Sequence, residues 1–253
     1  MTTLPTARLL ESLDADFHRL HDLAANPGSL TVKVPTCPEW TVGDLVDHVA
    51  TVYLHKVETM RLGAFPKDWP PQRDPEPPAA YLLRAHSALA EEFAARSPEE
   101  QTMTWFEPDQ SVGFWIRRMT YETLIHRVDG ELAVGVQPAP IPEDVAVDGV
   151  HEVLTTHLAY ASEAWPEDFE GALPSAGETV LLQAGDTAWL ITLADRVAIT
   201  PAEPGVPADV TLVGDPAAVL LWVWRRADSG THTEQGRGEV AAKLREFLRL
   251  TTQ

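Results

Sequence analysis

Three side chains have the types and the spacing of a metal-binding group. Glu122 and His126 are four residues apart in a segment that reads as a helix, so both side chains lie on one face of it. His48 lies in an earlier helical segment, and packing of the two helices would bring its imidazole to that face. Two imidazoles and one carboxylate suit a divalent cation such as zinc and leave one coordination position open. An open position indicates reactive chemistry rather than a purely structural site.

The N-terminal half has the elements to position these residues. Its apolar periodicity predicts four helices, at about residues 4–25, 41–62, 77–96 and 112–134. Thr41 is a good N-cap, and Asp44 three residues later predicts a variant of the capping box. Four helices of similar length favour an antiparallel bundle, and bundle cores often hold metal sites built from facing helices.

The C-terminal half predicts a small α+β domain. After a proline-rich linker at 137–142, a fifth helix is expected at about 143–164. Strand-like segments follow at 178–183, 187–193, 197–200 and 208–213. One further helix is expected from about 214, and another at 236–250. The predicted fold class is therefore α+β, with a four-helix bundle in residues 1–138 and an α+β domain with an antiparallel sheet in residues 139–253.

Composition narrows the possible partners. A net charge of −19, from 19 basic and 38 acidic side chains, argues against nucleic acid and anionic membranes, and so favours small molecules. No segment approaches the roughly 20 apolar residues of a membrane span, and the N-terminus lacks the pattern of a signal peptide. The single cysteine, Cys37, excludes an internal disulfide and fits a reducing, cytoplasmic environment. No coiled-coil seam is visible, and the sequence leaves the oligomeric state open.

Two sequence motifs carry a resemblance to a known family. The segment Pro35-Thr-Cys-Pro-Glu-Trp-Thr-Val-Gly-Asp-Leu-Val-Asp-His48 resembles the N-terminal signature of the mycothiol-dependent maleylpyruvate isomerase family. The segment Glu122-x3-His126-Arg-Val-Asp129 is similar to the second motif of that family. The resemblance covers the whole chain and implies a DinB-like, metal-binding four-helix bundle. It also implies a C-terminal domain similar to sterol carrier proteins.

The resemblance implies site residues and cosubstrates as well. The zinc ligands of the family fall on His48, Glu122 and His126, and a functional arginine of the C-terminal domain falls on Arg226. Family members often have Gly-Arg at that point, where this chain has Arg225 before Arg226. The expected cofactor is Zn²⁺ or another divalent metal, with mycothiol as the thiol cosubstrate. The thiol would add to an electrophilic small molecule, in a maleylpyruvate-type cis–trans isomerase or a thiol S-transferase.

Three alternatives stay open at the level of sequence. His55, seven residues after His48, could be a fourth ligand or an ordinary core or surface histidine. Asp129 could orient the second nitrogen of a ligand histidine, or it could be a surface carboxylate. The chain could also be a non-catalytic module that binds a small molecule or lipid and keeps a vestigial metal site.

Overall fold

The protein has a two-domain α+β fold. The computed structural model describes residues 3–73, 75–227 and 232–252. The chain divides into one compact unit at Leu4–Ala139 and another that contains the described residues from Pro140 onward. Among the helices of the described ranges, none combines the length and the apolar character needed to cross a bilayer.

The first unit is an antiparallel four-helix bundle. Its helices are α1 (Thr6–Ala25), α2 (Val42–Leu62), α3 (Pro78–Ala95) and α4 (Val112–Ala133). Helix α1 packs mainly on α4 and α2 mainly on α3, and α2 also contacts α4. Apolar side chains from all four helices fill the core, among them Leu20, Leu45, Leu89 and Trp115, which are fully buried. The four predicted helices are confirmed, with ends that differ by at most two residues.

Local hydrogen bonds set the start of the two helices that carry the candidate ligands. The backbone N–H of Asp44 donates to Thr41 Oγ1 at 3.2 Å, and the backbone N–H of Thr41 donates to Asp44 Oδ2 at 2.8 Å. This is the predicted capping box of α2. At the start of α4, Ser111 Oγ accepts from the backbone N–H of Phe114 at 3.2 Å. Each cap satisfies orphan N–H groups and fixes where the helix begins, and thereby which residues face the bundle interior.

A short antiparallel sheet precedes α2. Its strands are β1 (Lys33–Val34) and β2 (Cys37–Thr41). Sequence periodicity does not predict this sheet, because strands of two and five residues are too short to show a pattern. Cys37, the single cysteine of the chain, lies half-buried in β2. Strand β1 contacts α4, and strand β2 contacts α2.

The second unit begins with a long helical segment and continues into a five-stranded sheet. The predicted fifth helix is confirmed in extent, but it consists of α5 (Glu143–Glu152), a π-helix (Val153–Tyr160) and α6 (Ala161–Ala164). A 3₁₀ turn follows at Pro166–Phe169. The strands are β3 (Glu178–Ala184), β4 (Thr187–Leu193), β5 (Val197–Ala202), β6 (Val210–Gly214) and β7 (His232–Gly236). Helix α7 is Pro216–Val223 and helix α8 is Gly238–Thr251.

The sheet is mixed rather than wholly antiparallel. The strand order is β5-β4-β3-β6-β7, and every neighbouring pair is antiparallel except β3 with β6, which is parallel. Val180 in β3 therefore lies opposite Ile191 on one side and Val210 on the other. The expected antiparallel character holds for the hairpins, whereas β6 reaches the far side of β3 through a crossover whose direction local sequence does not encode.

Strand β7 is an element that its own residues do not predict. Its sequence, His-Thr-Glu-Gln-Gly, is polar and mostly exposed, and it becomes a strand by pairing with β6. Gly236 ends it with a φ of +117°, and an added Cβ would lie 2.4 Å from the carbonyl oxygen of Asp209. Only glycine fits this close approach between two backbones.

Candidate metal centre

The three predicted ligands converge at one place in the bundle. His48 Nε2, on α2, lies 3.2 Å from Glu122 Oε1, and His126 Nε2, on α4, lies 3.4 Å from the same oxygen. One ligand atom from each of the three residues lies within 4.8 Å of the other two. In the part of the chain that the structure describes, no other group of three histidine, cysteine or carboxylate side chains is arranged in this way.

The donor atoms suit a small divalent cation. Zinc binds imidazole nitrogen and carboxylate oxygen at about 2.0–2.2 Å, so neighbouring ligand atoms of a tetrahedral site are about 3.4 Å apart. The two measured separations to Glu122 Oε1 are close to this value. Two neutral imidazoles and one carboxylate supply three ligands, and the fourth position of a tetrahedron is left for a water or a substrate atom. The residues present therefore fit the metal that the resemblance implies.

The three candidate ligands differ in how far their side chains are exposed to solvent. The side chain of His126 is 10% exposed, that of Glu122 is 17% exposed, and that of His48 is 35% exposed. The indole of Trp40, from β2, covers the two histidines, with its ring centroid 4.7 Å from that of His48 and 6.2 Å from that of His126. The cluster is consequently shielded on one side by Trp40, and His48 is the most exposed of its three ligands.

Arg118 holds the second oxygen of Glu122. Arg118 is one turn before Glu122 on α4, and its Nη2 donates to Glu122 Oε2 at 3.1 Å, which leaves Oε1 for the histidines. Burial raises the pKa of Glu122, but hydrogen bonds from His126 and His48 and the charge of Arg118 outweigh it and hold the pKa well below its usual range. Glu122 is therefore an anion at neutral pH, as a metal ligand must be.

Asp129 orients the ring of His126. The two are one turn apart, and Asp129 Oδ2 accepts from His126 Nδ1 at 3.1 Å. Asp129 is fully buried, and its other oxygen accepts from Thr36 Oγ1 at 2.6 Å. Burial lowers the pKa of His126, yet the hydrogen bonds to Asp129 and Glu122 more than reverse this and raise the pKa to about 9 in the metal-free pair. With the proton on Nδ1 shared with Asp129, Nε2 is left to face the cluster.

Two further residues singled out in the sequence lie elsewhere. His55 is not part of the cluster, since its ring lies beside Phe65 and Trp69, with centroid distances of 6.0 and 5.3 Å, and burial lowers its pKa to about 4. Arg226 lies just after α7 in the second unit, where its Nη1 donates to the carbonyl oxygen of Trp224 at 2.8 Å. Its predicted role remains a prediction.

The backbone at Arg225 supports the alignment of Arg226 with the arginine of the family. Arg225 has a φ of +63°, in the left-handed region where glycine is favoured. The resemblance places a glycine at this position in many members. This conformation is compatible with the predicted correspondence of Arg226 to the arginine of the family, which stays a prediction.

Sequence reasoning did not identify Arg118, Thr36 or Trp40 as parts of the site. Arg118 carries a detectable signal, because it precedes Glu122 by four residues on the same helix and so faces it. Thr36 and Trp40 lie inside the N-terminal motif, but their contacts with Asp129 and with the histidines depend on where the β1–β2 sheet packs.

The fold and the cluster define a class: a two-domain α+β protein whose N-terminal helical bundle carries a candidate metal centre. Residues 10–130 match the family model described as the mycothiol maleylpyruvate isomerase N-terminal domain, and residues 144–244 match the MDMPI C-terminal domain. The chain belongs to the mycothiol-dependent maleylpyruvate isomerase family.

Solved structures share the fold. The crystal structure of the mycothiol-dependent maleylpyruvate isomerase is similar with a TM-score of 0.64 and 17% identity, covering 93% of this chain and 96% of that one. An alanine mutant of that isomerase is similar with a TM-score of 0.62 and 16% identity over the same shares of both chains. By sequence alone, no curated protein matches the chain.

Proposed function

We propose that this protein is a zinc-dependent enzyme that uses mycothiol to isomerise an electrophilic cis-alkene, as a maleylpyruvate-type cis–trans isomerase. The observation that carries the proposal is the convergence of His48, Glu122 and His126 on a point that one cation can occupy. Membership of the isomerase family supports the thiol and the reaction type. The acidic net charge of −19 accords with small-molecule rather than nucleic-acid partners.

The residues of the cluster have distinct tasks in this proposal. His48, Glu122 and His126 would hold the cation, and Asp129 keeps the His126 ring in the tautomer that presents Nε2. A zinc ion bound there would supply Lewis acidity that lowers the pKa of a thiol, so that the reactive thiolate exists at neutral pH. Trp40 shields the histidines from water on one side, which strengthens electrostatic interactions within the cluster.

The proposed reaction is balanced without any outside oxidant or proton donor. The thiolate sulfur forms a bond to one alkene carbon, and the π electrons of the double bond move onto the conjugated carbonyl as an enolate. Rotation about the resulting single bond follows. The enolate electrons then re-form the double bond in the trans geometry and expel the thiolate. A cationic side chain stabilises the enolate, and we assign this task to Arg226.

The proposal is tested with purified protein, mycothiol and maleylpyruvate. We expect about one zinc per chain by elemental analysis and mycothiol-dependent conversion to the trans isomer, followed by nuclear magnetic resonance. His48→Ala removes a ligand and should lose both the metal and the activity. The matched control is His55→Ala, on the same helix but outside the cluster, which should keep the metal.

The outcomes separate the alternatives. Unchanged zinc content in His48→Ala would show that the cluster is not the metal site. Release of a stable thiol conjugate instead of the trans isomer would identify an S-transferase. A protein that holds a lipid, binds no metal and has no thiol-dependent turnover would be a binding module.

A further inference from the structure

Lys56 is a half-buried cation on the same helix as His48. It lies eight residues after His48, which is about 12 Å along the axis of α2. Side chains of a helix lean toward its N-terminus, so the long stem of Lys56 points back toward the turn that carries His48. Its Nζ lies 4.8 Å from the ring centroid of Trp115 on α4 and 3.1 Å from Nδ1 of His55.

The ammonium of Lys56 has no carboxylate partner among the residues that the structure describes. Its polar and aromatic neighbours are His55, which is neutral at pH 7 because burial lowers its pKa to about 4, and the face of Trp115. Burial lowers the pKa of Lys56 to about 8, with the Glu122 charge opposing and the Arg118 charge adding to this effect. A cation that is withdrawn from water and contacts no carboxylate is destabilised, because the Glu122 charge offsets burial only in part, and a bound anion would reduce that cost.

Arg118 adds a second positive charge on the facing helix. Trp115, Arg118 and Glu122 follow one another at helical spacing on α4, so they line one face of it. The Arg118 side chain is 5% exposed and donates to Glu122, and its charge acts on Lys56 as well. Glu122 therefore interacts with both cations, Arg118 and Lys56. It also faces His48 and His126 of the candidate metal centre. This concentration of positive charge occurs in a chain with a net charge of −19.

We propose that Lys56, with Arg118 beside it, forms a carboxylate subsite in the bundle, which binds the anionic end of the electrophilic substrate next to the metal centre. This inference rests on the proposed function and adds a residue that positions its small unsaturated carboxylate substrate. The ammonium of Lys56 would form a charge-assisted hydrogen bond to a substrate oxygen. The subsite would then hold the alkene in place while the thiolate approaches from the metal side.

The test measures binding of maleate, a small cis-dicarboxylate, to the zinc-loaded full chain by titration calorimetry. Lys56→Met removes the charge and keeps the stem, and it should weaken maleate binding by about tenfold or more. Lys56→Arg should restore most of the affinity. Lys67→Met, which removes an exposed lysine from a loop, is the matched control and should bind maleate as the wild type does. Zinc content should be the same in all four proteins.

Several results overturn the subsite. They are a wild-type protein that does not bind maleate, a Lys56→Met variant with wild-type affinity, and equal affinity for maleate and its uncharged dimethyl ester. If Lys56→Met is unstable, Lys56→Gln gives the same comparison with a polar side chain. Turnover is assayed separately, so the two proposals can fail independently. Lys56-dependent maleate binding without thiol-dependent turnover keeps the subsite and rejects the isomerase. Thiol-dependent turnover together with maleate binding that does not depend on Lys56 keeps the isomerase and rejects the subsite.

Discussion

Helix α4 carries two buried polar clusters, a network around Arg127 and the candidate metal centre. Arg127, next in sequence to His126, points to the other side of the helix and belongs to a closed network. Its Nε donates to Asp16 at 2.9 Å, and its Nη1 donates to Glu131 at 2.8 Å and to the carbonyl oxygen of Ala139 at 3.0 Å. Arg19 completes the network with a 2.7 Å bond to Glu131. Two arginines and two carboxylates thus satisfy one another.

The candidate metal centre has the opposite character. His48 Nε2, His126 Nε2 and Glu122 Oε1 converge on one point, and without a metal the two histidines reach the glutamate oxygen through shared protons. Acceptors that converge in this way need a cation between them, whether a proton or a metal. Burial and charge alone therefore do not identify a binding site for a metal. A network of arginines and carboxylates that pair with one another stabilises the fold. Ligand atoms that converge on one point can instead bind a metal ion.

The largest expected effect comes from removing a converging acceptor. Glu122→Gln should weaken zinc binding by more than about 100-fold, because a direct ligand matters more than the supporting partners whose loss costs 10- to 100-fold. Competition with a chromogenic chelator measures the affinity. The matched control, Glu131→Gln, changes a glutamate of the closed network nine residues later on α4. It should keep zinc affinity, and equal losses in both variants would erase the distinction between the clusters.

The closed network should respond in stability rather than in metal binding. Arg127→Met should lower the free energy of unfolding by about 3–5 kcal/mol, because buried Asp16 would lose its cation and Glu131 would keep only Arg19. Urea denaturation followed by circular dichroism measures this. Arg8→Met breaks an exposed pair with Glu11 and should cost less than about 1 kcal/mol. An Arg127→Met protein that has normal stability but has lost its zinc would contradict the view that this network stabilises the fold and does not bind the metal.

A graded effect is expected from the residues that orient His126. Asp129→Asn should weaken zinc affinity by about 10- to 100-fold, since the carboxylate that fixes the ring and its tautomer is lost. Thr36→Val removes only the hydroxyl that donates to Asp129 and should have a smaller effect in the same direction. The chelator competition assay ranks the two variants. Wild-type affinity in Asp129→Asn would mean that packing alone positions the ring.

The last predicted effect depends on pH and concerns a histidine outside both clusters, whose nearest carboxylate, Asp14, lies 4.0 Å away. His86 stacks on Phe17 with a 3.6 Å centroid distance, and burial lowers its pKa to about 4, against about 9 for His126. Because unfolded histidine has a pKa near 6.5, the unfolded chain binds more protons between these values, and stability falls as pH drops from about 6.5 to 4. The loss attributable to His86 is on the order of 2–3 kcal/mol.

The variant His86→Leu isolates this contribution. His55, which has a similarly lowered pKa, is present in both proteins, so the difference between the two unfolding curves reports on His86. We expect the stability of His86→Leu to decline less than that of the wild type over this pH range. Parallel declines would show that His86 is hydrated in the folded state.

Much of the bundle could be predicted because its determinants are local. The periodic apolar residues of the four helices, the Thr41–Asp44 capping box and the spacing of Glu122 and His126 act within one or two helical turns. The same reasoning found the extent of the fifth helix and most strands of the second unit. It did not find the π-helical middle of that helix or the polar strand β7, because neither has a distinct local pattern.

By itself, the sequence determined the helical elements, the negative net charge and the identity of three residues able to bind a cation. Tertiary structure alone decided that His48 meets Glu122 across two helices, that Trp40 covers the pair of histidines, and that Lys56 lacks an anionic partner within the described chain. The parallel pairing of β3 with β6 belongs to the same group. The physical reason is that helix propensity and capping act over a few residues. Convergence, shielding and unbalanced charge depend on which distant segments pack together.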